Sequence, residues 1–138
     1  YMSFIEQPNS LTNVHFVAGA ADGTFTIFQS KGSSWAQEGQ PISAHDGATN
    51  SVAWRPLPGF SRYEIASCGS DCLVKLWTFE DNKWSCFEIC KCDEEPVALK
   101  WSSCGFILSV SSGTNTVALY REVSHNNWEI IDNSNSSM

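Results

Sequence analysis

The chain has 138 residues, 42% of them hydrophobic and 17% charged, which fits one globular domain with a real core and excludes a disordered segment. Its net charge of −7 leaves no electrostatic footprint for a phosphate backbone, so direct nucleic-acid binding is not expected. Apolar runs such as "CGFILSV" are too short to span a bilayer, and the start "YMSFIEQPNS" lacks a basic n-region, so a soluble cytoplasmic or nuclear protein is the expectation.

Three segments in chain order repeat one template: "VAGAADGTFTIFQSKGSSW", "IASCGSDCLVKLWTFEDNKW" and "LSVSSGTNTVALYREVSHNNW". Aligning them on Phe28, Trp77 and Tyr120 gives a period in the forties, with Asp22, Asp71 and Thr114 six positions earlier and Trp35, Trp84 and Trp128 after. Such a period with Gly/Asp turns and aromatic anchors marks a four-stranded propeller blade. "FTIF", "VKLW" and "VALY" alternate as half-buried strands do, and Phe4, Trp54 and Trp101 anchor the first strands. No amphipathic helix of useful length interrupts them. The expectation is an all-β chain of three blades, about 2–42, 49–92 and 96–133, with 55–62 and 121–127 as loops and 134–138 as a polar tail.

Blade two carries further detail. "SAHDG" precedes its first strand, and His45, Ser67, Asp71 and Trp77 stand at the spacing of the hydrogen-bonding tetrad of WD repeats, a resemblance that implies a buried network with His45 bridging Asp71 and Ser67 and Ser67 reaching the Trp77 indole. Blades one and three lack it, because Ala18 and Val110 replace the serine and Thr114 the aspartate. A His/Ser/Asp trio also invites a nucleophile reading, but no oxyanion site accompanies it. Cys68 and Cys72 then flank a turn and form neither a metal knuckle nor a redox pair.

The six cysteines are expected to be free thiols, since their spacings suit no zinc site and His15, His45 and His125 are scattered. In "WSCFEICKC" even spacing would place Cys86, Cys90 and Cys92 on one face of a strand. The acidic run Asp93-Glu94-Glu95 reads as a solvated loop, so no catalytic residue, metal or cofactor is expected. The sequon at Asn135-Ser136-Ser137 carries little weight in a polar tail.

"SAHDGATNSVAWRP", "EIASCGSDCLVKLW" with "EDNKW", and "ILSVSSGTNTVALYREVSHNNWEII" make the chain resemble the WD-repeat family. Within it the chain is similar to the C-terminal half of the small propeller subunit shared by the COPII outer vesicle coat and the Y-shaped nuclear pore scaffold complex. Phe28 and Tyr120 depart from the family by standing at tryptophan positions. The resemblance implies an open six-bladed propeller and an α-solenoid partner that donates a further blade in trans. It implies a non-catalytic scaffold with no small-molecule substrate, held indirectly at the cytosolic face of the ER membrane and COPII vesicles, or at the nuclear pore. Val97, Leu99, Val117 and Leu119, the more uniformly apolar set of the last blade, are the candidate partner-binding residues. The alternative is another WD-repeat adaptor, such as a ubiquitin ligase receptor or signalling scaffold.

Overall fold

The computed structural model describes residues 2–6, 14–31, 33–56, 63–80, 83–103, 105–113, 116–124 and 127–135. Among them are three four-stranded antiparallel sheets and no helix. Blade one comprises β1 (Met2–Glu6), β2 (Val14–Gly19), β3 (Thr24–Lys31) and β4 (Ser34–Ser43). Blade two has β5 (Thr49–Trp54), β6 (Tyr63–Gly69), β7 (Leu73–Glu80) and β8 (Lys83–Lys91). Blade three has β9 (Pro96–Trp101), β10 (Ile107–Ser112), β11 (Thr116–Ser124) and β12 (Asn127–Asn135). Strand order within each sheet follows the chain, as four strands joined by successive hairpins require. Strand β12 runs two residues into the stretch expected to be a polar tail, with Ser134 opposite Val117 and Asn135 opposite Thr116.

Directly opposed residues share a face, so the registers sort each blade into two sides. The side turned toward the preceding blade is called the front. The front of blade two carries Val52, Trp54, Ile65 and Ser67, which are buried, and Trp77 and Trp84, which are partly so. It closes over Val17, Phe25 and Ile27 on the back of blade one. The back of blade two presents Ala53, Ala66, Cys68, Val74 and Leu76 to Leu99, Trp101, Leu108 and Val110 on the front of blade three, where Tyr120 and Trp128 also pack. The core therefore consists of two inter-blade layers, since a lone sheet has nothing to bury its faces against.

Two bulges overturn period-two expectations. At the first, Val74 pairs with Cys90 and Lys75 with Glu88, so Ile89 is inserted and the parity of β8 reverses. Cys86 therefore lies opposite Trp77 and is exposed, while Cys90 and Cys92 pack into the second core layer. The three cysteines do not share a face. At the second, Ser111 pairs with Ala98 and Ser112 with Pro96, which inserts Val97. Val97 is 48% exposed and is separated from Leu99, which is 3% exposed.

Candidate functional site

The turn between β6 and β7 is built from the chain outward. Asp71 accepts the Leu73 amide at 3.1 Å, which is the Asx geometry that closes a tight polar turn. Its carboxylate also faces His45 Nδ1 at 3.0 and 3.1 Å and accepts the Asp46 amide at 3.2 Å. His45 Nε2 lies 2.9 Å from Ser67 Oγ, and the Trp77 indole N–H donates to the same oxygen at 3.0 Å. One neutral imidazole satisfies every atom: Nδ1–H donates to Asp71, and Nε2 accepts from the Ser67 hydroxyl, which itself accepts from Trp77. The titration directions agree. Burial lowers the His45 pKa against the opposing pull of Asp71. Burial pushes Asp71 up, but the Leu73 and Asp46 amides and His45 together outweigh it and leave the carboxyl below its ordinary range.

His45, Ser67, Asp71 and Trp77 thus form one hydrogen-bonded chain, and its role is to hold the turn. The blade-one turn supports it, because Gly23 O accepts both the Ala44 and His45 amides at 2.9 and 3.0 Å. The Thr114 position of blade three lies outside the described residues, as do Cys104, His125 and Ser136-Ser137. Among the described residues no group of His, Cys, Asp and Glu is arranged to hold a metal, and the five cysteines there are free thiols. The acidic run makes structural contacts: the Asn50 amide donates to the Glu95 carboxylate at 2.8 Å, and the Gly113 N–H donates to the Glu95 carbonyl at 3.1 Å.

A second polar cluster was not legible in the sequence. Arg55, 4% exposed, donates from Nη1 to Glu64 at 2.7 Å, from Nη2 to Glu122 at 2.8 Å and from Nε to the Gly105 carbonyl at 2.7 Å. Its guanidinium also lies 5.0 Å from the Trp101 ring centroid and 5.3 Å from that of Trp128. One blade-two cation is thereby fixed to the first, third and fourth strands of blade three and to the turn before β10. Arg55 opens the stretch expected to be a loop, 55–62, and its partners stand 9, 50 and 67 positions away, beyond any local pattern.

The candidate docking residues divide between two sides. Leu99 is buried against blade two, so it belongs to the core and is corrected as a partner contact. Val97 sits on the bulge. Val117 and Leu119, opposite Ser111 and Ser109, lie on the back of blade three and are half-buried. There Leu119 joins Lys100, Trp101, Ser102, Ile107 and Ser109 around a shallow, open groove. At the other end of the array, the front of blade one carries Phe16 stacked on Phe28 at 4.8 Å, with Trp35 edge-on to Phe16 at 4.9 Å. Trp35 is 47% exposed.

Residues 37–78 match the family described as WD domain, G-beta repeat, a span containing the whole tetrad. The chain is 34% identical over 116 residues, 83% of its length, to the Dictyostelium discoideum protein named Protein SEC13 homolog. It is 31% identical over 133 residues, 94% of its length, to the protein of the same name from Homo sapiens. Protein transport protein SEC13 of Chaetomium thermophilum is 30% identical over 129 residues, 90% of the chain. The chain spans 38%, 41% and 41% of these relatives, about two-fifths of their length.

Proposed function

We propose that this chain, a partial WD-repeat propeller similar over most of its length to SEC13 proteins, is a non-catalytic scaffold subunit of the COPII vesicle coat or the nuclear pore Y-complex. The similarity to SEC13 proteins, one of them named as a protein transport protein, carries this reading. The site chemistry fits a scaffold: the tetrad is consumed in holding a turn, and the Arg55 cluster in joining two blades. An α-solenoid partner adds a blade against the back of blade three, which makes membrane association indirect and places the protein at the cytosolic face of the ER, on vesicles or at the pore. Val117 and Leu119 are the anchors on that face, as the equivalent Val74 and Leu76 are for blade three itself. Main-chain ladders within the donated blade and apolar burial against it would supply affinity and specificity.

Pull-down of the solenoid subunit tests this. Leu119→Asp should abolish capture while the circular dichroism of the propeller stays that of a folded β-protein. Capture at wild-type affinity by Leu119→Asp would remove the back of blade three as the docking face. Co-purification with a ligase adaptor and no solenoid would favour the adaptor alternative.

A further inference from the structure

The bulge at Ile89 turns the end of β8 so that Cys90, and Cys92 one residue beyond the strand's last residue Lys91, pack into the junction between blades two and three. Both faces of that junction belong to this chain. There the two thiols meet hydroxyls of the neighbouring blade. The Tyr120 hydroxyl of β11 donates to the Cys90 sulfur, and the Cys90 S–H donates to the Cys92 sulfur. The Ser112 hydroxyl of β10 donates to Cys92 as well. The donors run in one direction and end on Cys92. The Cys90 S–H foremost, with Ser112, holds Cys92 below the ordinary thiol range against burial and the Asp93 charge. The same hydrogen bond, reinforced by burial, pushes Cys90 up. Both sulfurs are half-buried, within reach of a small solute, whereas Cys68 is fully buried and pushed up to about 12 by desolvation.

We propose that Cys92 and Cys90 form an oxidant-responsive dithiol, in which Cys92 attacks a hydroperoxide and Cys90 resolves the product. The Cys92 thiolate takes the outer oxygen of hydrogen peroxide, the O–O bond breaks, and the departing hydroxide gains a proton to leave as water, which leaves Cys92 as a sulfenic acid. The Cys90 sulfur then gives up its proton and attacks the Cys92 sulfur. The S–O bond breaks, a second water leaves, and the two electrons gained by the peroxide have come from the two thiols. Two residues of extended chain span at most about 7 Å, the upper end of the Cα separation that a disulfide bridges. Cys92 lies past the end of β8, so the chain can tighten there at the expense of one main-chain bond, from the Cys92 amide to the Cys72 carbonyl at 2.7 Å. The site involves no other protein and is independent of the scaffold reading.

Hydrogen peroxide added to the purified 138-residue chain, followed by alkylation of the remaining thiols and peptide mass spectrometry, tests the pair. The peptide carrying Cys90 and Cys92 should lose two hydrogen atoms in mass before any other cysteine reacts, and a dithiol reductant should restore it. Cys90→Ser keeps an O–H donor beside Cys92 but removes the resolving sulfur, so a cyclic 1,3-diketone should trap Cys92 as its sulfenic acid. Cys92→Ser should leave Cys90 reduced at the same peroxide concentration. Ser112→Ala removes one donor and should slow the oxidation by about three- to tenfold. Circular dichroism of each variant verifies the folded β-chain. Oxidation of Cys90 and Cys92 no faster than that of the other cysteines would overturn the proposal. So would a disulfide from Cys92 to Cys72 or Cys68, or the absence of a trapped sulfenic acid in the folded Cys90→Ser variant.

Discussion

Cys72 and Gly23 occupy the same place in two successive turns, each following an aspartate, and both hold a left-handed backbone, with φ of 67° and 89°. The turns match in detail: Asp22 accepts the Thr24 amide at 3.1 Å, and Asp71 accepts the Leu73 amide at the same distance. Glycine adopts that conformation freely, whereas a side chain at positive φ costs about 1–2 kcal/mol. Cys72→Gly should therefore raise stability by up to about 1 kcal/mol, the relief of strain being partly offset by the greater freedom of an unfolded glycine. Urea unfolding would read the shift. The reverse exchange, Gly23→Ala, should be clearly destabilising, because a Cβ there would lie 2.2 Å from the His45 carbonyl oxygen. A Cys72→Gly variant less stable than the parent would contradict the strain.

The tetrad makes stability depend on acid. Burial holds the His45 pKa below its ordinary 6.5, so the folded protein binds fewer protons there than the unfolded chain does. The stability this contributes is present above pH 6.5 and is lost as pH falls from there toward the folded pKa, at up to about 1.4 kcal/mol per pH unit. Asp71, also lowered, adds a further loss as pH falls below its ordinary 3.8. Asp71→Ala should cost about 1–3 kcal/mol at neutral pH, because His45 and two amides lose their acceptor. Denaturant titrations from pH 7 to pH 4 check both, and stability that rises on acidification through pH 6 would refute the neutral imidazole.

Arg55 sets a different kind of dependence. Arg55→Met removes the guanidinium that lies 2.7 Å from Glu64, itself 4% exposed, and should cost about 3–5 kcal/mol. Adding Glu64→Gln to that variant should recover part of the loss, since a neutral amide tolerates burial better than a carboxylate. Thermal unfolding of the two variants would show it. If the double variant is no more stable than Arg55→Met alone, the carboxylate is not the source of the cost.

What could be read from the residues follows from how locally each feature is encoded. The three blades rest on period-two alternation and on Asx turns a few residues long, and the tetrad on fixed offsets within one repeat. The face of Leu99 could not be read that way, because it depends on the bulge at Val97, and a single inserted residue leaves no mark in an alternating pattern. The same holds for Cys86 against Cys90, separated by the bulge at Ile89. The Arg55 cluster depends on three partners brought together by blade packing alone. Phe28 and Trp35 stand out in the sequence as repeat anchors, but the 47% exposure of Trp35 becomes apparent only once the neighbouring layers are assembled.

Strand order that follows chain order has a kinetic consequence. Every ladder in a blade closes between consecutive strands, so each hairpin needs only a short loop closure, and an all-β chain of this kind avoids the long searches that slow sandwiches. On a ribosome, each four-stranded sheet would have all its pairing partners as soon as its last strand emerged. Blade one would then stand ready as a template before the His45 segment is synthesised, with Gly23 O waiting for two amides. The vulnerable interval is the one after each sheet forms and before the next covers its back, when a row of aliphatic side chains faces solvent.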